Sequence, residues 1–182
     1  MATPLDEARW VIGAQCGERD ALEQLLRSIQ PPLHRYVRRL IGDSHADDVV
    51  QEVLIAIARK VTWLSEPRFF RAWAFRIASR AAFDHLRRER RRGWHDSDDV
   101  LLDALPASDP PPSQELLREL LDGDLLSPAS RAVIVLHFQE GLTLPEVAAV
   151  LEIPLGTAKS RLAYGLTVLR RHIGIKKESS NE

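Results

Sequence analysis

The sequence predicts an all-α protein: two small helical domains joined by a flexible acidic linker, the second containing a helix-turn-helix. Three observations predict it. Apolar residues recur at three- and four-residue spacing in both halves, with no β alternation. Residues 93–113 hold four prolines, many acids and no sustained period. Between Thr143 and His172 a capped short helix, a break and a polar-fronted helix follow one another. The 182 residues suit two domains, each of roughly 70–90 residues. These are expected at 1–92 and 114–182, with the linker at 93–113.

In the first half, Leu22, Leu25, Leu26 and Ile29 share one helical face. Pro31-Pro32 is expected to interrupt that helix, and Leu33, Tyr36, Val37, Leu40 and Ile41 resume the pattern. Gly42 suits the residue just past a helix end, and Asp43 or Ser44 suits the next N-cap. The helix that follows has Val49, Val50, Val53, Leu54, Ile57 and Val61 as its apolar set, opposite Asp47, Asp48, Gln51 and Glu52. From Pro67 a long helix is expected to reach about Arg92, with Phe70, Ala74, Ile77 and Ala81 on its inward stripe.

The linker contains a short apolar stretch, Val100–Leu105, that could anchor it, and helical pattern returns at Gln114–Leu121. Ser127-Pro128 is an N-cap followed by proline at the first helical position, opening a helix to Gly141. Thr143-Leu144-Pro145-Glu146 is a capping box. Val147, Ala148 and Leu151 point inward from the short helix it starts. Ile153-Pro154 ends that helix, and a last one runs from about Leu155 to His172.

The net charge of −1 hides a segregation. Residues 68–92 hold nine arginines and two acids, net +7, while residues 93–128 are net −8. A cationic block of that density is a footprint for phosphates. One cysteine, Cys16, excludes an intramolecular disulfide and suits a reducing cytoplasm. No apolar run approaches the roughly 20 residues that span a bilayer, so no membrane insertion is expected. The start, MATPLDEARW, lacks the basic and apolar stretches of a signal peptide.

Thr157, Lys159, Ser160 and Arg161 front the last helix. In a helix-turn-helix that helix enters the major groove, where Thr, Ser and Lys suit phosphates and Arg suits a guanine edge. The alternative is an ordinary helical hairpin with a solvated polar face. In the basic helix, Phe69, Phe70, Trp73, Phe75 and Phe83 interleave with Arg68, Arg71, Arg76 and Arg80. Aromatics beside arginines suit single-stranded nucleic acid, whereas Phe70, Trp73 and Ile77 read better as core. The Arg87–Arg92 cluster reads as phosphate-facing. Catalysis finds little support. Asp47, Asp48 and Glu52 have no further ligand placed to complete a metal site, and acids at a helix start are favoured by its dipole. The six histidines show no ligand spacing, so no metal is expected.

Three segments, HADDVVQEVLIAIAR, PRFFRAWAFRIASRAAFDHLRRERRR and LTLPEVAAVLEIPLGTAKSRL, resemble the signature segments of bacterial RNA polymerase sigma factors. The match is to the small extracytoplasmic-function type, over about residues 8–92 and 114–172. The resemblance implies that Asp47, Asp48, Gln51 and Glu52 dock on core polymerase. It implies that Arg76, Arg80, Asp84, Arg87, Arg88 and Arg91 meet the −10 promoter element, and Thr157, Lys159, Ser160 and Arg161 the −35 element. It also implies an acidic linker threading the polymerase, an anti-sigma factor clamping both domains, a cytoplasmic place and a role in a stress or envelope response. The polymerase would do the chemistry, so the chain is expected to be no enzyme and to carry no cofactor. A dimeric helix-turn-helix regulator acting without polymerase is the rival, and it leaves the aromatic-arginine helix unexplained.

The sequence departs from the family pattern at three places. His45 stands where the family has an acid, leaving one acid fewer for docking. Glu152 stands where the helix-turn-helix has glycine, at a cost of roughly 1 kcal/mol if its φ is positive. Ala163-Tyr164-Gly165 stands where the family is commonly basic.

Overall fold

The computed structural model describes residues 3–92 and 125–179, and the regular structure of the described residues is all helical, with no strand. The chain divides into two compact units, Met1–His95 and Asp96–Glu182. The expected linker at 93–113, its apolar stretch Val100–Leu105 and the helix at Gln114–Leu121 lie outside the described residues.

In the first unit, α1 (Pro4–Gln15) opens on a capping box: Thr3 Oγ1 accepts from the Asp6 N–H, and Asp6 accepts from the Thr3 N–H. The Asp6 carboxylate accepts from the Thr3 N–H and also from the Thr3 hydroxyl, and these two bonds, the backbone one foremost, hold it below the usual aspartate range. The helix ends in a Schellman motif, with Gly17 at φ 88° donating to Ala14 and Glu18 donating to Gly13. Gly13 is where α1 meets α2 (Arg19–Ile41): a Cβ there would come within 2.7 Å of the Ala21 Cβ.

The helix α2 runs unbroken through Pro31-Pro32, which corrects the expected interruption. Two prolines remove two ladder bonds, and each costs about 3 kcal/mol or more in a helix interior. Here Leu25, Ile29, Pro32, Leu33, Tyr36, Val37 and Leu40 are all buried along the helix, and each fully buried aliphatic or aromatic side chain returns about 1.5–3 kcal/mol. Packing on the α2 inner face outweighs the lost bonds. Gly42, at φ 81°, ends the helix and donates to Arg38.

The helices α3 (Ala46–Lys60) and α4 (Phe70–Arg92) complete the unit, joined by 3₁₀ turns at Val61–Trp63 and Pro67–Phe69. Val49, Val50, Val53, Ile57 and Val61 are buried as their spacing predicts, and Leu54 is half-buried. The expected N-caps Asp43 and Ser44 are displaced by His45. The Asp43 carboxylate pairs instead with Arg38 at 3.6 Å, and the Asp43 carbonyl accepts from Ala46. Tyr36 of α2 fixes the rotation of α4. Its ring meets Phe75 edge-on at 5.4 Å, and its hydroxyl pairs with Ser79 Oγ at 2.7 Å. Burial pushes that phenol well above the ordinary tyrosine range, against the smaller pull of the Ser79 bond.

In the second unit, Ser127 caps α5 (Pro128–Ile134) by accepting from Ser130. The expected helix to Gly141 changes form after Ile134 into a π-helical turn, Val135–Gln139. Gly141, at φ 72°, then turns the chain, and Leu142 donates to Leu136. α6 (Leu144–Leu151) buries Val147, Ala148 and Val150. Leu151, expected inward, is half-buried. α7 (Leu155–Ser179) passes the expected end at His172. Gly165 lets α7 lie on α5: a Cβ there would come 2.5 Å from Ile134 Cδ1.

Candidate nucleic-acid interface

The α3 surface follows from its two-sided pattern. The apolar set anchors one face, so Asp47, Asp48, Gln51 and Glu52 are left exposed on the other. Asp47 is 90% exposed, and its carboxylate lies 2.9 Å from Nε2 of His34 on α2. Both aspartates sit in the first turn, where the helix dipole favours them. The departing residue His45 packs its ring on His85 of α4, with centroids 4.9 Å apart.

The α4 helix presents its charge along a groove against α3. Arg80, Asp84, Arg87, Arg88 and Arg91 line it with Lys60 and Glu52, over a floor of Val53, Ala56, Ile77 and Ala81. Asp84 pairs with Arg87 one turn on. Five of the six residues expected at the −10 element are thus together, while Arg76 is half-buried and does not line this groove. The inward stripe expected at Phe70, Ala74, Ile77 and Ala81 is corrected. The buried set is Phe70, Ala74, Phe75, Ala78, Ser79 and Ala82, and Ile77 and Ala81 are half-buried. Ser79, a polar residue among these apolar ones, is buried against the Tyr36 hydroxyl.

The segment between α3 and α4 holds one residue that sequence reasoning missed, Trp63, beside the Arg68 and Phe69 already expected at single-stranded nucleic acid. Val61 and Leu64 are buried, and between them Trp63 is 80% exposed. Phe69 is 45% exposed, and the Arg68 guanidinium lies 4.7 Å from its ring centroid. A tryptophan in a stretch without helical apolar period was the available signal.

In the second unit the turn between α6 and α7 is closed by Glu152 in the left-handed region, φ 56° and ψ 43°. It is the one described non-glycine residue with positive φ. The Thr143–Glu146 capping box forms with both reciprocal bonds. Ala158 is fully buried, which seats the first turns of α7. Lys159 is exposed there, and Thr157, Ser160 and Arg161 are half-buried. The Ser160 hydroxyl donates to the Thr157 carbonyl at 3.0 Å. Among the described residues no group of three His, Cys, Asp or Glu could hold a metal, and no helix is long and apolar enough to cross a membrane.

Two helical units, one with a cationic helix beside exposed aromatics and one with a helix-turn-helix, define the class as a nucleic-acid-binding transcription protein. The Sigma-70 region 2 family matches residues 25–92, and the Sigma-70, region 4 family matches residues 124–171. The ECF RNA polymerase sigma factor SigL of Mycobacterium tuberculosis is 34% identical over 88% of this chain and 93% of its own length. SigW of Bacillus subtilis is 26% identical over 86% of this chain and 91% of its own. SigE of Mycolicibacterium smegmatis is 34% identical, and the matched region spans 61% of that protein. The chain belongs to the extracytoplasmic-function family of RNA polymerase sigma factors. Its fold is shared by CnrH, solved with the cytosolic domain of CnrY, at TM-score 0.64 and 24% identity over 93% of this chain and 98% of that one. The sigma factor RpoE of Bartonella quintana, solved with the anti-sigma factor NepR, gives TM-score 0.63 and 23% identity over 84% and 96%.

Proposed function

We propose that this sigma factor divides promoter recognition between its units as the family does. Asp47, Asp48, Gln51 and Glu52 dock core polymerase through the exposed acidic side of α3, with Glu52 at the edge of the α4 groove. The groove residues of α4, with Arg76, meet the −10 element, and Trp63 and Phe69 offer ring faces to bases of the opened strand. Thr157, Lys159, Ser160 and Arg161 meet the −35 element in the major groove. The domains act as 1–92 and 114–182, with 93–113 as the acidic connection between them. The chain works in the cytoplasm, supplies no chemistry of its own, and answers to an anti-sigma factor.

The observation that carries this reading is the row Arg80, Arg87, Arg88 and Arg91, exposed on a helix whose opposite side is locked against Tyr36. The test is transcription in vitro with core polymerase over a promoter library. Promoter-selective transcripts that depend on this chain are expected. A chain that binds duplex promoters as a dimer, with no gain from core, would instead favour the rival regulator. The docking face is tested apart from DNA: Asp48→Lys should weaken a pull-down of core polymerase with little change in melting temperature. An unchanged pull-down would remove Asp48 from the docking face.

A further inference from the structure

Gln15 closes α1, and the Schellman motif after it fixes its backbone. A glutamine amide carries two N–H donors on one nitrogen. Here both are used across the fold. Nε2 donates to the Val61 carbonyl at 3.0 Å and to the Leu64 carbonyl at 2.7 Å, partners 46 and 49 residues away in sequence. Those two carbonyls flank Thr62-Trp63. The Leu64 N–H also returns to the Val61 carbonyl, at 3.2 Å, so the turn is closed on itself and held from outside. Its end side chains, Val61 and Leu64, are buried, and Thr62 and Trp63 face outward.

The same helix holds the other end of the segment. Glu7, 2% exposed, accepts from Arg71 Nη1 at 3.0 Å at the start of α4. Between these two attachments stand Trp63, Arg68 and Phe69. A ring already held by a fixed backbone loses little freedom when a base stacks on it, and a site is only as precise as the shell that supports it.

We propose that Gln15 is a positioning residue for single-stranded DNA, through which α1 holds Trp63 in the geometry that stacks on a base of the opened promoter strand. This rests on the role given above to Trp63, and the experiment separates the two. Holoenzyme is assembled from core polymerase and the full chain, and its affinity for a fluorescent single-stranded oligonucleotide spanning the −10 element is measured. Trp63→Ala should weaken binding by about 10-fold, the loss expected for one stacked base. Gln15→Glu keeps the shape but replaces both donors with acceptors, and should weaken binding by about 5-fold, with core binding unchanged. In the double variant the Gln15→Glu loss should vanish, because the ring it positions is gone.

If Trp63→Ala leaves the affinity unchanged, the reading of the aromatic segment fails and the positioning role with it. If Trp63→Ala weakens binding and Gln15→Glu does not, the positioning role alone is overturned. It is overturned equally if the two losses multiply in full in the double variant. Should Gln15→Glu unfold the first unit, Gln15→Ala removes the donors without a charge and carries the same cycle.

Discussion

The nucleic-acid surfaces proposed for α4 and for the first turns of α7 are built by opposite means. Residues 68–92 carry nine arginines, of which Arg80, Arg87, Arg88 and Arg91 are exposed along one groove. The first two turns of α7 carry only Lys159 and Arg161. What α7 has instead is placement: the Thr143–Glu146 box, the left-handed turn at Glu152 and the buried Ala158. The contrast teaches that binding by the first unit should follow salt, and binding by the second should follow backbone geometry.

The largest effect that could break this contrast lies on α4. Replacing Arg87, Arg88 and Arg91 together by Ala should lower holoenzyme affinity for a single-stranded −10 oligonucleotide by about two orders of magnitude at 0.1 M salt, and flatten the log–log salt slope by about 2. Anisotropy titrations across a salt series measure both. An unchanged slope would mean that these arginines do not meet phosphates.

A smaller effect separates two residues of α7. Arg161 lies four residues beyond Thr157, so the two share a face. Arg161→Ala should cost about 1–3 kcal/mol at the preferred −35 sequence and relax preference at one base. Lys159→Ala should weaken all sequences equally and lower the salt slope by about 0.9. A promoter-library assay distinguishes them, and an equal loss on every promoter from Arg161→Ala would assign that arginine to phosphate too.

Below these come changes that touch no DNA. Thr143→Ala removes the side-chain acceptor of the box and should destabilise the second unit by about 1 kcal/mol, read from thermal melts, with the salt slope intact. Glu152→Gly relieves a left-handed backbone and should stabilise the unit by no more than about 1 kcal/mol, since glycine's freer unfolded chain takes back part of the gain. A melt lowered by Glu152→Gly would show that the glutamate side chain contributes more than its backbone costs.

The elements legible in the sequence were those written in local chemistry. The capping box at Thr143, the cap at Ser127, the helix end at Gly42 and the apolar set of α3 each depend on residues a turn or less apart. The exposed acids of α3 followed from the same set. What was illegible depends on partners distant in sequence. The prolines at 31 and 32 look like a break until the burial of Ile29, Pro32 and Leu33 is known. The rotation of α4 is set by Tyr36, so a period alone misassigned Ile77 and Ala81. Gln15 shows no spacing at all, since its partners lie two helices away.

The proline pair has a consequence for how the first unit opens. Without N–H groups at Pro31 and Pro32, the carbonyls of Arg27 and Ser28 lose their partners in the helical ladder. The 23-residue α2 is therefore two hydrogen-bonded ladders laid end to end. The earlier ladder meets α1 where Gly13 touches Ala21, and the later one meets α3 and α4 through His34 and Tyr36. Cooperative units of hydrogen exchange tend to follow such seams. Amides before Pro31 should exchange together with α1, while those after Pro32 stay protected with the α3–α4 core, so that the helix carrying Gln15 unfolds as a separate layer before the groove does.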